Sequence, residues 1–230
     1  MKRLVSLGLV AMFVATLTLS LPPRSNAQGA GLVSSMLNKL DGNWKSLRSL
    51  RANISLEKYN AQLRYSDKQQ GVMVYVPGAG RNAFVRLEWQ SPQHEIITVG
   101  KGQYMAYRPR LKTVYIGKTT DSHNKAGSAL ELMNMSRSQL QSKFDQKDAY
   151  NETLWGGVKT IHLTVVPKGV ASYKYAEIWV DDAGMPIQTK VVEKNDDATT
   201  VRLTNTQRNA PVSMDEFNLK LDSDVKRVKT

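Results

Sequence analysis

Three histidines, at 94, 123 and 162, are the side chains best suited to proton transfer or metal binding in this chain. They are scattered, and their surroundings do not complete a site. Asp121-Ser122-His123 offers two ligand types in one loop, whereas a zinc site needs three or four. His162 falls on the polar side of an alternating stretch. No Gly-x-Ser-x-Gly elbow, HExxH pair or phosphate loop is present. Cysteine is absent, which removes thiolate nucleophiles, thiolate zinc sites, disulfides and a lipid-modified N-terminal cysteine. The expectation is a protein with no catalytic residues, no metal and no cofactor. A secreted hydrolase with scattered catalytic groups is the alternative from another class.

The elements that follow from periodicity are mostly strands. Leu32, Val33, Met36, Leu37 and Leu40 recur at helical spacing, and Trp44, Leu47 and Leu50 extend that stripe. They predict an amphipathic helix, distorted near Asp41-Gly42-Asn43. From Ala52 the period becomes two. Ile54 and Leu56 share one parity and Tyr59, Ala61, Leu63 and Tyr65 the other, which predicts a bulge near Lys58. Val72–Val76, Ala83–Trp89, Glu95–Val99, Tyr104–Tyr107 and Thr113–Ile116 follow as short strands, with Gly100-Lys101-Gly102 as a tight hairpin. In the strand after Gly80, Ala83, Val85, Leu87 and Trp89 form the apolar face, with Arg86 and Glu88 opposite as a solvated charge pair. Ala129–Met135 reads as a helix, and Ser136-Arg137-Ser138-Gln139 as a capping box opening a second one that carries Leu140 and Phe144. Strands resume at Tyr150–Trp155 and at Ile161, Leu163 and Val165. Three more lie within Tyr173–Gln207, with turns at Asp181–Gly184 and Asn195–Asp197, and alternate as a sheet wet on one side only. Met214–Phe217 and Leu219–Leu221 close the domain, and a charged tail starts at Asp222. Trp89, Tyr104, Tyr107, Trp155 and Trp179 are aromatic enough to line a pocket, though each alone is better read as core filling.

The N-terminus is organised for export. Met1-Lys2-Arg3 is basic, Leu4–Leu21 is apolar, and Ser25-Asn26-Ala27 ends in small residues. Residues 1–27 therefore read as a cleaved signal peptide and 28–230 as a single domain. The run is also long enough to be an uncleaved anchor. Without Lys2, Arg3 and Arg24 the chain has 29 basic and 20 acidic residues, a net of +9. That balance suits anionic membranes or acidic partners. Nucleic acid is excluded by export and by the lack of a recognition helix or a basic-aromatic RNA motif.

In order and spacing, these residues resemble a known family. TVVPKG, then AEIWVDDAGMPIQTKVVEKNDDATTVRLTN over Thr164–Asn205, resembles the C-terminal half of LolA-type outer-membrane lipoprotein carriers. Phe217-Asn218-Leu219-Lys220-Leu221 resembles their final strand. GRNAFVRLEWQSP and VGKGQYMAYRPRLKTVYIG resemble their strand into a proline turn and the hairpin after it. The resemblance implies a mainly β, α+β fold: an incomplete antiparallel β-barrel with an N-terminal helix and a helical lid inserted at about 128–144. It implies a monomeric periplasmic carrier that takes lipoprotein acyl chains from an inner-membrane releasing transporter to an outer-membrane acceptor. The expected lipid-binding residues are Leu130, Leu132, Met133, Met135, Leu140 and Phe144 from the lid and Val85, Leu87 and Trp89 from the sheet. The family holds its lid shut with a basic residue at the barrel mouth. Counting eleven back from Pro92 reaches Arg81, which also shares the parity of the apolar face. The family's next residue is proline where this chain has Asn82, and the glycine-rich Gly78-Ala79-Gly80 leaves an ordinary loop arginine equally open. A lipid-sensing or free-lipid-carrying domain of the same fold is the nearest alternative.

Overall fold

The computed structural model describes residues 26–78, 83–119, 125–133 and 135–229. Helix α1 spans Asn26–Ser46 and buries Met36, Leu37 and Leu40 almost completely. It runs unbroken through Asp41-Gly42-Asn43, because Asn43 is turned inward and its amide donates to the Met185 sulfur at 3.6 Å. The helix stops before Leu47, and Leu50 opens the first strand. Both leucines still reach the same core. The apolar spacing thus passes from helix into strand without marking the boundary.

Twelve strands follow: β1 Leu50–Asn60, β2 Tyr65–Val76, β3 Phe84–Ser91, β4 Glu95–Gly100, β5 Gln103–Arg108, β6 Thr113–Lys118, β7 Phe144–Leu154, β8 Val158–Pro167, β9 Tyr173–Asp181, β10 Pro186–Glu193, β11 Ala198–Arg208 and β12 Lys226–Lys229. They form one sheet in the order β12-β6-β5-β4-β3-β2-β1-β11-β10-β9-β8-β7. Neighbours are antiparallel except β12 and β6, which are parallel. β7 and β12 are left as edges, so the barrel is incomplete. Two short helices, α2 Lys125–Met133 and α3 Arg137–Lys143, carry the chain from β6 to β7.

Several boundaries differ from the sequence expectation for physical reasons. No bulge occurs at Lys58: β1 and β2 pair in unbroken register from Leu50↔Tyr75 to Asn60↔Tyr65. The parity change there is a hairpin turn over 61–64, with Arg64 at φ 50°. The irregularity in β1 lies between Arg51 and Asn53, against β11. Tyr173, whose odd-number parity predicts the polar face with Tyr175 and Trp179, packs on the core instead, because a register shift between Val192 and Glu193 turns it. Phe144 belongs to β7 rather than to a helix, and Trp155 sits in the β7–β8 turn with 86% of its surface exposed. The C-terminus departs most. Met214–Phe217 is a 3-10 turn, 218–221 is irregular, and the expected tail contains β12.

The inner face of the sheet is defined by the helices. Leu50, Ile54, Leu56, Leu163, Val165, Ala176, Ile178, Val180, Ile187, Val191, Val201 and Leu203 all point into one cluster with α1, α2 and α3. On β9 and β10 this matches the alternation in the sequence. The turn between them, 182–185, is held by Gly184 N–H to the Asp181 carbonyl at 3.0 Å and Met185 N–H to the Asp181 carboxylate at 2.8 Å. Gly184 has φ +81°, and a Cβ there would lie 2.1 Å from the Lys39 carbonyl oxygen of α1. Glycine is required by both conformation and contact. Replacing Gly184 with Ala is expected to destabilise the fold by about 2–4 kcal/mol, read as a lower urea midpoint.

Candidate functional site

The nine apolar residues singled out in the sequence converge. Leu132, Met133, Met135, Leu140, Phe144, Leu87 and Trp89 are buried in the core cluster, and Leu130 and Val85 pack against it partly buried. The space between the helices and the β7–β11 part of the sheet is filled by these side chains. α2 lies over β10 and β11, and α3 lies against α1 and β7. Ser136 caps α3 reciprocally with Gln139, as its spacing predicts. Lys168 Nζ donates to the Gln141 carbonyl at 2.7 Å, Lys143 pairs with Glu131 at 3.2 Å, and Arg137 donates to Asn38 of α1.

A polar tie from sheet to α2 comes from a residue that the sequence does not mark. Thr189 of β10 is fully buried on the inner face, and its hydroxyl donates to the Ala129 carbonyl at 2.8 Å. Ala129 is itself fully buried. A threonine within an apolar strand face carries no distinctive spacing, so only the packing reveals the bond. Arg81, the expected latch, lies outside the described residues, as does His123. Arg86 is on the outer face: it donates to Glu88 at 3.0 Å and to the Glu216 carbonyl at 3.1 Å. His94 approaches the other oxygen of Glu88 at 3.0 Å.

The other part of the sheet is open on its inner side. Register pairs Val85 with Val99, Leu87 with Ile97, Val99 with Tyr104, Ile97 with Ala106, and Ala106 with Tyr115. Directly paired residues share a face, so these continue the inner face beyond Leu87. Val85, Ile97, Val99, Tyr104, Ala106 and Tyr115 are each only partly buried. Arg108 ends the stripe, bonded through Nε to Glu95 at 2.7 Å and lying 5.3 Å above the Tyr115 ring. Its Glu95 contact raises the Arg108 pKa. The outer side of the same strands is covered in part by the segment after β11. Phe217 packs on Phe84 at 5.7 Å, and Val74, Thr98, Val114 and Val225 are buried. Alternation alone could not say which side the helices would leave uncovered.

His162 is on the face expected, yet it is buried. Its ring stacks on Trp179 at 4.2 Å, with Tyr150 edge-on at 4.7 Å. Its nitrogens lie 2.9 Å from a Glu152 oxygen and 3.6 Å from a Glu177 oxygen. Trp179 donates to Glu152 at 2.9 Å, and Lys190 pairs with Glu177 at 3.0 Å. The His162 ring and then Lys190 hold the Glu177 carboxyl below the usual carboxylate range, against the opposing effect of burial. The two carboxylates face different ring nitrogens, so the side chains of β7, β8, β9 and β10 meet around one buried ring. No group of three or more metal-type ligands occurs among the described residues.

Residues 51–220 match the profile of a family described as outer membrane lipoprotein carrier protein LolA. No curated protein matches the chain. An uncharacterized conserved protein from Thermus thermophilus superposes with a TM-score of 0.55 at 11% identity, over 86% of this chain and 98% of that one. MucB, in a complex structure with MucA from Pseudomonas aeruginosa, superposes with a TM-score of 0.52 at 15% identity, over 82% of this chain and 61% of that one. At these identities the likeness concerns the fold.

Two outcomes follow from the geometry. Thr189→Val removes the donor to α2 and is expected to cost about 1 kcal/mol in urea unfolding, with faster amide exchange in α2; a gain in stability would show that the hydroxyl is a net burden. Folding depresses the Glu177 pKa, so its pairing stabilises at neutral pH and is lost as pH falls through the folded value. Thermal midpoints should therefore drop in acid, and Glu177→Gln should lower the neutral midpoint while flattening that drop.

Proposed function

The chain belongs to the family of outer membrane lipoprotein carrier proteins, and on that premise we propose that it is an exported carrier for acyl chains. The observation that carries the reading is the partly exposed apolar stripe from Val85 and Val99 to Tyr115, continuous with the helix-covered core. A chain laid on this stripe is removed from water on one side while the segment after β11 partly covers the other.

Magnitudes decide how the lid takes part. Exposing Leu132, Met133, Met135 and Leu140 to water costs roughly 1.5–3 kcal/mol each, so unassisted opening is rare. Each acyl CH₂ withdrawn from water contributes about 0.8 kcal/mol, so one long chain can replace the contacts that α2 and α3 give up. The hydrocarbon first meets the open stripe, then displaces α2 and α3 over about 128–144. Thr189 favours release: with α2 displaced by hydrocarbon its hydroxyl loses its acceptor, a cost that loosens the cargo. Residues 1–27 act as the export signal, and the carrier works in the periplasm. Donor and acceptor are an inner-membrane releasing transporter and an outer-membrane receptor. No chemical step is needed.

Binding is tested by displacement of a fluorescent fatty acid. Ile97→Asp with Tyr115→Asp should weaken probe binding at least tenfold while the melting cooperativity persists. The chain has no cysteine, so Asn38→Cys with Arg137→Cys can be joined by a short bis-maleimide. Cross-linking should slow probe uptake at the lid and leave the stripe accessible. A wild-type protein that binds no probe ends the carrier reading.

A further inference from the structure

The two ends of the sheet differ in chemistry. Following the antiparallel pairings, the β1–β2, β5–β6, β8–β9 and β10–β11 connections all lie at one end. Three of them present a large apolar side chain beside a basic one: Leu63 with Arg64, Leu111 with Arg110, and Val170 with Lys168. Leu63 is 75% exposed, Leu111 61% and Val170 106%. The fourth, Lys194-Asn195-Asp196-Asp197, adds one lysine and two aspartates, and Asp224 pairs with Lys112 beside Leu111. Three of these connections, β1–β2, β8–β9 and β10–β11, are tied together. Ala61 N–H donates to the Asp197 carboxylate at 2.9 Å, and Lys174 of β9 pairs with Asp196 of the same turn. At the opposite end the β4–β5 and β9–β10 turns are Lys101-Gly102 and Asp182–Gly184, without an apolar tip, and the β7–β8 turn exposes one, Trp155.

Single exposed apolar residues are ordinary. The same apolar-plus-basic pairing on three separate connections, all at one end, is not. Arg64 and Lys194 have no ion-pair partner among the described residues. Apolar tips that enter a headgroup layer, flanked by lysine and arginine, are the chemistry of interfacial binding to anionic bilayers, and residues 28–230 carry a net +9. We propose that this end docks the protein reversibly on an anionic bilayer surface through Leu63, Leu111 and Val170. α3 enters β7 at the same end, so docking would present the root of the lid to the membrane. The proposal extends the carrier reading but does not need it: the rim is built whether or not a chain is carried.

The test is sedimentation of the mature protein with vesicles of phosphatidylcholine alone and with about a third phosphatidylglycerol. Wild-type protein should bind the anionic vesicles, and binding should fall steeply as salt is raised. Leu63→Ser/Leu111→Ser/Val170→Ser should weaken binding at least tenfold, as should Arg64→Glu/Arg110→Glu/Lys168→Glu. Trp155→Ser, at the other end, should leave it unchanged. All positions are exposed, and thermal melts check that each variant is folded. Failure of wild-type protein to bind either vesicle, or full binding by the serine triple variant, overturns the proposal. Fatty-acid displacement in the same samples separates the two readings: retained displacement without vesicle binding refutes docking alone, and vesicle binding without displacement supports docking while refuting the carrier.

Discussion

The structure depends on a sheet that is covered on opposite faces in its two parts. Across β7–β11 the helices seal the inner face. Across β3–β6 the segment after β11 crosses the outer face, bringing Phe217 onto Phe84 and Val225 under cover before β12 pairs with β6. Each strand must lose apolar surface to water on at least one side, and here the side changes part-way along one continuous sheet. The consequence is an inner apolar face left partly open at β3–β6 without loss of a core. A carrier needs that condition: a greasy surface that the protein itself can tolerate empty.

The crossing segment is held by polar contacts as well as by rings. Arg51 pairs with Glu216 at 2.6 Å and also donates to the Pro211 carbonyl at 3.2 Å, while Ser49 donates to the Ala210 carbonyl. Arg51 lowers the Glu216 pKa. Arg86, a solvated cross-strand charge by its place in the sequence, joins this set through the Glu216 carbonyl. Between Arg86, Ile96, Tyr107 and the residues 215–220 a groove of about 430 Å³ remains on the outer side. A second, of about 300 Å³, lies where α3 meets the β8–β9 connection, next to Phe144 and Tyr173.

What is legible in the sequence follows from the range of the interactions. The alternation of β9, β10 and β11, the capping box of α3 and the apolar face of Leu87 and Trp89 are local, and the structure matches them. The positive φ at Lys101 and Gly102, 52° and 76°, is likewise a local demand of a two-residue hairpin. Sequence and structure part where long-range pairing decides. Leu50 keeps helical spacing yet joins β1 because β2 and β11 flank it. The parity break at Lys58 is a turn because Tyr65 returns to pair with Asn60. The tail becomes β12 because β6 offers a free edge. His162 lies on the side that its parity predicts but is dry rather than wet, since burial there comes from Trp179 and Tyr150 on neighbouring strands. The open stripe is half legible: Val85 and Tyr104 stand out, but Ile97, Val99, Ala106 and Tyr115 look like any strand residues until the helices are seen to cover the other part of the sheet.

The same division explains how tight closure and exchange can coexist. Burial of Leu132 and Leu140 to within 2% of complete exclusion makes α2 and α3 a cohesive part of the core rather than a loose flap. Among the described residues their polar ties to the rest of the fold include the Thr189 hydroxyl, a side-chain bond from Arg137 to Asn38, and the Lys168 side chain and backbone N–H from the β8–β9 connection. Apolar contact is non-directional, so hydrocarbon can stand in for leucine and methionine at little cost, whereas it cannot satisfy the Thr189 hydroxyl. On the carrier reading, the apolar surface would set how much is gained on loading, and the Thr189 hydroxyl would set which way the balance returns when the chain leaves.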